Sequence, residues 1–451
     1  LDLQNEMLRK RTLNSKIFIN DILFFLEKGN SLKEGNSRNK LPVNEDVEFM
    51  KSQNPVILGV GRTKFGEHYE RDPESLIEEA GLQALDSAGI TRKDLNACYL
   101  SDYFLQVTNK IGLEEGFFSE LLELHVPMEK TRSFSSALLN ACHAVQSEKY
   151  ELVLVGGMEK MTDRWDKIRD DLMLLEDPWS YYAGCTPEAN HELLLKGYIK
   201  KYKINGEKLK QFYTALAQIS VKNHKNAMEN PLAQYKSAIT VDAVLKARSS
   251  VCKSLGLFDF APISDGASAL VLASPRVVKN CSCTPVSVLG SSSATDYITF
   301  PARKERTGFL ASSLAMKTAL KQAEVELTDI QIAEFYDQST LLEMLSLEDL
   351  GFCVRGTAWS DVYNSCENYR GFYEINGRRL YVNLNGGLKA DGNPLGATGG
   401  AQIFEVVKQL RGEAENRQVK VEGEAPNLGC VSELEGFGTK AYVHILGRTK
   451  D

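Results

Sequence analysis

The 451-residue chain lacks most of the features that would assign its class at a glance. It has six histidines, three tryptophans and nine cysteines, with no Cys-x-x-Cys pair and no His/Cys cluster; Cys281 and Cys283, two apart, come nearest. That spacing argues against a zinc framework and against a disulfide scaffold, and scattered thiols suit a reducing, intracellular setting. No apolar run reaches the roughly 18–20 residues that cross a bilayer, so no membrane span is expected. With 53 basic against 60 acidic residues the formal charge is −7, and nothing suggests a nucleic-acid surface. A cytoplasmic protein follows.

At 43% apolar content the chain can bury a large core in two or three domains. Residues 1–53 read as an extension, with an amphipathic helix over about 5–28 and a polar linker after it. Its Leu8-Arg9-Lys10-Arg11 ahead of apolar Ile17 to Leu26 imitates a targeting signal, but Glu6, Asp21 and Glu27 interrupt the pattern and no small-residue cleavage site follows. The body opens at Pro55 with a short apolar strand. A helix over Ser75 to Ala88 comes next, with Asp72 and Glu74 as N-terminal charge, and then a strand over Asp94 to Tyr103. Leu138, Ala141, Cys142 and Val145 form one helical stripe. The unbroken apolar run from Leu152 is expected in a sheet buried on both faces. Residues 162–260 turn charged, aromatic and helical, with Trp165, Trp179, Tyr181 and Tyr182, and read as an insertion over the sheet. The strand after Ala261 returns to the core, and a second half starts near Val286 and closes with Ala441 to Leu446. The fold class is α/β, divided as 1–53, 54–283 (with 162–260 inserted) and 284–451.

The stretch Tyr381 to Gln402 is the densest in glycine. It runs from a short strand through a loop into an amphipathic segment, Ala401 to Arg411, and so places backbone N–H groups and a helix N-terminus where a ligand could approach. A tight connection that merely needs glycine fits equally well. Its Asn383-Leu-Asn-Gly-Gly and Gly392-Asn-Pro-Leu-Gly-Ala-Thr-Gly resemble the signature loop of thiolases, in the archaeal acetoacetyl-CoA and sterol-carrier-protein branch. Val60-Gly-Arg-Thr-Lys-Phe-Gly, Ala261-Pro-Ile-Ser-Asp-Gly and Leu347-Glu-Asp-Leu-Gly-Phe match as well, and the resemblance spans Val56 to Leu446. It implies five layers, α/β/α/β/α, with helices between two sheets. It also implies a homodimer through the edge strand of the first half, and a coenzyme A thioester as ligand with no resident cofactor. Asn385, Gly386, Gly387, Gly396 and Ala397 fall at substrate-binding positions, and Asn393 stands where the family's loop histidine would be.

Thiolases use a cysteine thiolate at a helix N-terminus, where the dipole and free N–H groups lower its pKa. Counting back about 28 residues from Glu159-Lys160-Met161 reaches Thr131, whereas an anchor on Val126-Pro127 reaches Ser135, with Ser133 between them. None of these is a thiol, and a hydroxyl needs an adjacent base. Cys142 lies further along the helix and reads as core. The family's His-Asp-Cys-Phe loop is replaced by Glu334-Phe-Tyr336-Asp337-Gln-Ser-Thr; Tyr336 either donates to an oxyanion or is a buried tyrosine. A fourth loop, Asn427 to Gly438, resembles Asn-x-Gly-Gly-x-Gly with residues inserted, and it puts Cys430 near the family's second cysteine. No histidine matches a family position, and His191 is the one worth testing. The expectation is therefore an acyl-CoA-type pocket without Claisen thiolysis, in a binding or complex subunit. Two alternatives remain. One is an aldolase that uses Tyr336 and Asp337 beside a small OB-fold partner. The other is acyl transfer by a hydroxyl or Cys430 within a complex, for instance with an HMG-CoA-synthase-like protein.

Overall fold

A computed structural model describes residues 54–280, 283–365 and 371–449; the helix expected over about 5–28 and its linker lie outside the described residues. Strand β1 (Val56–Arg62) opens the chain. It is followed by β2 (Ala97–Ser101), β3 (Met128–Thr131), β4 (Leu152–Lys160), β5 (Asp265–Ala273) and β6 (Val286–Thr295). The remaining strands are β7 (Ile332–Glu334), β8 (Phe372–Ile375), β9 (Arg378–Val382), β10 (Leu428–Glu435) and β11 (Lys440–Arg448). Their spatial order is β3-β2-β4-β5-β1-β6-β11-β10-β7-β9-β8.

This order contains a duplication. In the first half β2 pairs parallel with β3 and β4, and β5 pairs antiparallel with β4 and β1. In the second, β7 pairs parallel with β9 and β10, and β11 pairs antiparallel with β10 and β6. Taken in chain order, each half runs 3-2-4-5-1, with β8 added outside the second. The halves are joined where β1 meets β6, so the expected pair of sheets is one continuous sheet in two matching parts.

Helix α1 (Pro73–Ala88) forms where the sequence placed it. The Asp72 carboxylate accepts the Ser75 N–H, Pro73 sits in the first turn, and Gly89 closes the helix at φ 68°, the N-terminal and C-terminal signals expected of a capped helix. Its Leu76, Ala80 and Ala84 bury against the outer face of the first half, beside Leu58, Leu154 and Val271. Helix α2 (Phe134–Gln146) and helix α7 (Leu395–Arg411) lie between the two parts of the sheet. Their Leu138, Ala141, Ile403 and Val406 share one buried cluster with Val153 and Leu272 of the first half and with Ile332 and Val431 of the second. Alternate residues of β4, Val153 and Val155 inward, Leu154 and Met158 outward, enter different clusters. The strand is thus buried on both faces, as its unbroken apolar run required.

The segment after β4 contributes α3 (Pro187–Lys201) and α4 (Gly206–Met228). The second half adds α5 (Leu310–Ala323) on its outer face and α6 (Thr340–Asp349) after β7. Helix α7 begins at Leu395, six residues before the sequence-based estimate. Gly396, Gly399 and Gly400 are helical, because they serve close packing rather than loop freedom. A Cβ on Gly396 would come within 2.8 Å of Asp102 Cα and the Met158 carbonyl oxygen, and one on Gly400 within 2.6 Å of the Phe134 ring. Among the described residues no helix is long and apolar enough to cross a membrane.

Candidate functional site

The parallel strands β7 and β10 run in register, with Gly429 opposite Ile332 and Val431 opposite Glu334. Their C-terminal ends therefore open on the same side, and β9 ends beside them. The turn after β9 is held by its own side chains. Asn383 sits at φ 53°, a left-handed conformation that asparagine tolerates when its amide is bonded. Its Oδ1 accepts the Phe335 N–H at 2.7 Å and its Nδ2 donates to Glu343 at 2.9 Å. Asn385 Oδ1 accepts the Gly387 N–H.

Asp337 ties this turn to α4. Its carboxylate accepts the Leu388 N–H at 2.7 Å, the Lys389 N–H at 3.4 Å and Asn223 Nδ2 at 2.8 Å. Gly387, at φ 61°, leaves room for that carboxylate, since a Cβ there would lie 2.4 Å from Asp337 Oδ2. Burial, reinforced by Glu343, holds the Asp337 carboxyl well above the usual range. Glu343 is balanced by Lys222 at 3.0 Å.

The two central helices carry a matched device. Glu159, near the end of β4, accepts the Gly396 N–H at 3.1 Å in the first turn of α7, together with the N–H groups of Tyr103 and Phe104. Glu433, near the end of β10, accepts the Ser135 N–H at 2.8 Å in the first turn of α2. Strands β4 and β10 occupy equivalent places in the two halves, so each half supplies a carboxylate to the other half's helix N-terminus, where the free N–H groups and the dipole favour negative charge. Burial dominates the balance and pushes both carboxyls up to about 8.

The residues expected at the nucleophile position surround the start of α2. Thr131 ends β3, its hydroxyl donating to the carbonyls of Leu100 and Ser133. Ser133 is the N-cap; its hydroxyl accepts the Ser136 N–H and donates to Glu435 at 2.7 Å. Ser135 is fully buried, and between the two serines Phe134, also fully buried, packs onto Gly399 and Gly400 of α7. The first turn of α2 is thus engaged by Glu433 through the Ser135 N–H, with the Phe134 ring packed on α7 beside it.

Cys430 lies elsewhere. The sequence reading placed it in an inserted loop, but Leu428–Glu435 is the strand β10 itself, and Cys430 is mid-strand opposite Ala333 and Ile445. Burial pushes its thiol, like that of Cys142, up to about 12. Glu433 and Glu435 are the polar groups at the strand's end, and sequence reasoning missed both. Two acids at alternate positions, in line with apolar Val431, are the signal that could have found them.

Tyr336 and Asn393 do come together, with Tyr336 Oη 3.5 Å from Asn393 Oδ1. That oxygen also accepts from Thr398 Oγ1 at 2.8 Å, and the Asn393 N–H donates to Ser264 Oγ. Burial first, then Glu433, hold the Tyr336 phenol well above its ordinary pKa. Asn393 lines a mostly apolar cleft of about 730 Å³, together with Leu395, Phe258, Phe260, Trp165 and Lys389. His191 and His224 also line it, and among the described residues no cysteine does. His191 Nδ1 is 2.8 Å from Ser339 Oγ, and burial lowers its imidazole to about 4. Tyr336 itself faces an annex of only about 20 Å³, bounded by Tyr103, Leu395 and Leu434, room for about one water. Asn385, Gly386, Gly387, Gly396 and Ala397, expected at substrate-binding positions, are buried, and none of the five lines the cleft.

The Thiolase, N-terminal domain family matches residues 55–276, and the Thiolase C-terminal domain-like family matches residues 292–448. Over 405 residues the chain is 34% identical to an acetyl-CoA acetyltransferase of Methanothermobacter thermautotrophicus, covering 87% of this chain and 99% of that relative. It is 30% identical over 384 residues to sterol carrier protein 2 of Homo sapiens, covering 80% of this chain and 67% of the relative. Among solved structures, the Ltp2-ChsH2(DUF35) aldolase superposes with a TM-score of 0.73 at 22% identity, covering 89% of this chain and all of that one. Human mitochondrial 3-ketoacyl-CoA thiolase in complex with CoA superposes with a TM-score of 0.64 at 17% identity, covering 89% and 99%.

Proposed function

The chain belongs to the thiolase superfamily, in the branch of the archaeal acetyl-CoA acetyltransferases and sterol-carrier-protein thiolases, and on that premise we propose that it binds an acyl-CoA-type thioester without forming an acyl-enzyme. The observation that carries this reading is the start of α2. A helix N-terminus has few free N–H groups, and here the Ser135 N–H is taken by the Glu433 carboxyl while Phe134 packs against Gly399 and Gly400 of α7. A thiolate or a thioester oxyanion added there would compete with the Glu433 carboxyl for the same N–H groups. The Thr131 and Ser133 hydroxyls are engaged by backbone carbonyls and by Glu435, the Ser135 hydroxyl is buried with no hydrogen-bond partner among the described residues, and His191 and His224 are lowered to about 4. A hydroxyl nucleophile without a paired base is unreactive at neutral pH. The intact cleft then serves to hold the ligand, as a subunit that presents or stores a thioester would.

Intact-protein mass spectrometry after incubation with acetyl-CoA or acetoacetyl-CoA tests this. The mass is expected to stay unchanged, and thiolysis by added coenzyme A is expected to remain at the level of the protein-free control. A stable acyl adduct on Thr131, Ser133, Ser135 or Cys430 refutes the proposal.

A second reading is retro-aldol cleavage of a β-hydroxyacyl thioester, favoured by Tyr336 standing against Asn393 with Glu433 acting on it through space. In that chemistry a base takes the β-hydroxyl proton and the Cα–Cβ bond breaks. Its electron pair moves to the thioester carbonyl as an enolate, which is then protonated at Cα. Products are an aldehyde or ketone and a shorter thioester. With its raised pKa, Tyr336 stays protonated and suits the role of hydrogen-bond donor to the enolate oxygen rather than that of base. Under this reading Tyr336→Phe lowers kcat at least tenfold with little change in KM; unaltered turnover removes it.

A further inference from the structure

Three lysines are buried among the described residues: Lys160, Lys222 and Lys389. Two have counter-ions. Lys160 Nζ lies 2.5 Å from Asp163 and 3.0 Å from Asp265, and Lys222 Nζ lies 3.0 Å from Glu343. Lys389, 4% exposed, has no carboxylate within ion-pair reach among the described residues, and its exposed remnant opens into the cleft. Its Nζ lies 5.9 Å from the centre of the Tyr235 ring, and that ring stacks at 12° on His224. His224 and Tyr235 line the same cleft, and the buried Nε2 of His224 has no hydrogen-bond partner.

The acids that act on Lys389 from a distance are already engaged. Asp259 accepts from Thr340 Oγ1 and the Gly256 N–H, and Asp337 accepts from Asn223 and two backbone N–H groups. Burial lowers the amine to about 8, so at neutral pH most of it still carries a proton. An unpaired ammonium in an apolar wall is costly, by several kcal/mol on general grounds. Among the described residues the other two buried lysines have counter-ions and Lys389 has none, and Lys389 stands in the wall of a cleft where a ligand can provide one.

We propose that Lys389 is the anion seat of the cleft, its ammonium taking phosphate or carboxylate oxygens of the bound thioester beside the His224 ring. The proposal rests on the reading above that the cleft holds a CoA thioester, and it narrows the ligand to one whose anionic group reaches this wall: a phosphate of the carrier, or a carboxylate at the far end of the acyl group.

Titrations with butyryl-CoA, glutaryl-CoA and 3′-dephospho-CoA, followed by the fluorescence of Trp165 in the cleft wall, compare the wild type with Lys389→Met and Lys389→Arg. A carboxylate seat weakens glutaryl-CoA binding about tenfold or more in Lys389→Met and leaves butyryl-CoA unchanged. A phosphate seat weakens both equally. Lys389→Arg retains most of the affinity in either case. Equal affinities of wild type and Lys389→Met for all three probes overturn the proposal. A second measurement uses the wild type alone: glutarate or pyrophosphate should slow acetic anhydride labelling of Lys389 at least threefold. Protection by these free anions with no binding of any CoA compound keeps the seat and removes the CoA reading. Absence of protection by every probe removes the seat.

Discussion

Replacing Asp337 by leucine is expected to lower the free energy of unfolding by about 3–5 kcal/mol, the scale for removing one partner from a buried polar network. The side chain is 1% exposed and receives the N–H groups of Leu388 and Lys389 and the amide of Asn223. Leucine has a similar volume but accepts nothing. Each stranded donor then costs about 1–3 kcal/mol of unrecovered desolvation. Asp337→Asn keeps one accepting oxygen and should fall between the two. Because the turn also holds Lys389 and Asn393 in the cleft wall, ligand binding should weaken in parallel. Urea or guanidinium unfolding measures the loss, and a Leu variant within about 1 kcal/mol of wild type would show that Asp337 does not hold the turn.

The protein should also lose stability as pH rises from about 6.5 to about 8. Burial pushes the carboxyls of Glu159, Glu433 and Glu176 up to about 8 and that of Asp349 up to about 7. Unfolded carboxyls titrate near 4. The folded state therefore binds more protons than the unfolded state from about pH 4 up to about 8. The stabilisation from these groups is complete below about pH 4 and is lost as pH climbs through their folded values, by at most about 1.4 kcal/mol per group per pH unit. The buried histidines act in the other direction at lower pH. His191 and His224 are lowered to about 4 and His444 to about 3. Their contribution is present above about pH 6.5 and is lost as pH falls below it, so they cannot offset the carboxyls in the alkaline window. A steady fall in Tm across that window is expected, made shallower by Glu433→Gln, whose amide oxygen still accepts the Ser135 N–H. A Tm that is flat or rises over the same range would mean that these carboxyls are not held uncharged.

Both predictions concern features that different levels of the chain encode. The capped helix Pro73–Ala88, the doubly buried strand Leu152–Lys160 and the apolar stripe of Phe134–Gln146 were legible in advance, because each is written in a period of about two or 3.6 residues over a short window. That Thr131, Ser133 and Ser135 carry hydroxyls rather than thiols, and that Tyr336 precedes Asp337, could be read from the sequence alone. So could the glycine-rich turn, since only composition and spacing are involved. Pairing across the chain was not legible in the same way. Glu433 meets Ser135 from 298 positions away and Glu159 meets Gly396 from 237, and no local pattern records such a distance. The same holds for Cys430, which a motif placed in a loop and strand register placed in the middle of a sheet. What the sequence determined was which chemical groups this protein has and which faces of its elements must be buried. Which of those groups share one helix terminus, and which lysine is left facing a cleft without a counter-ion, was decided only when the two halves closed over their central helices, because close packing and strand register act between residues that the chain itself keeps far apart.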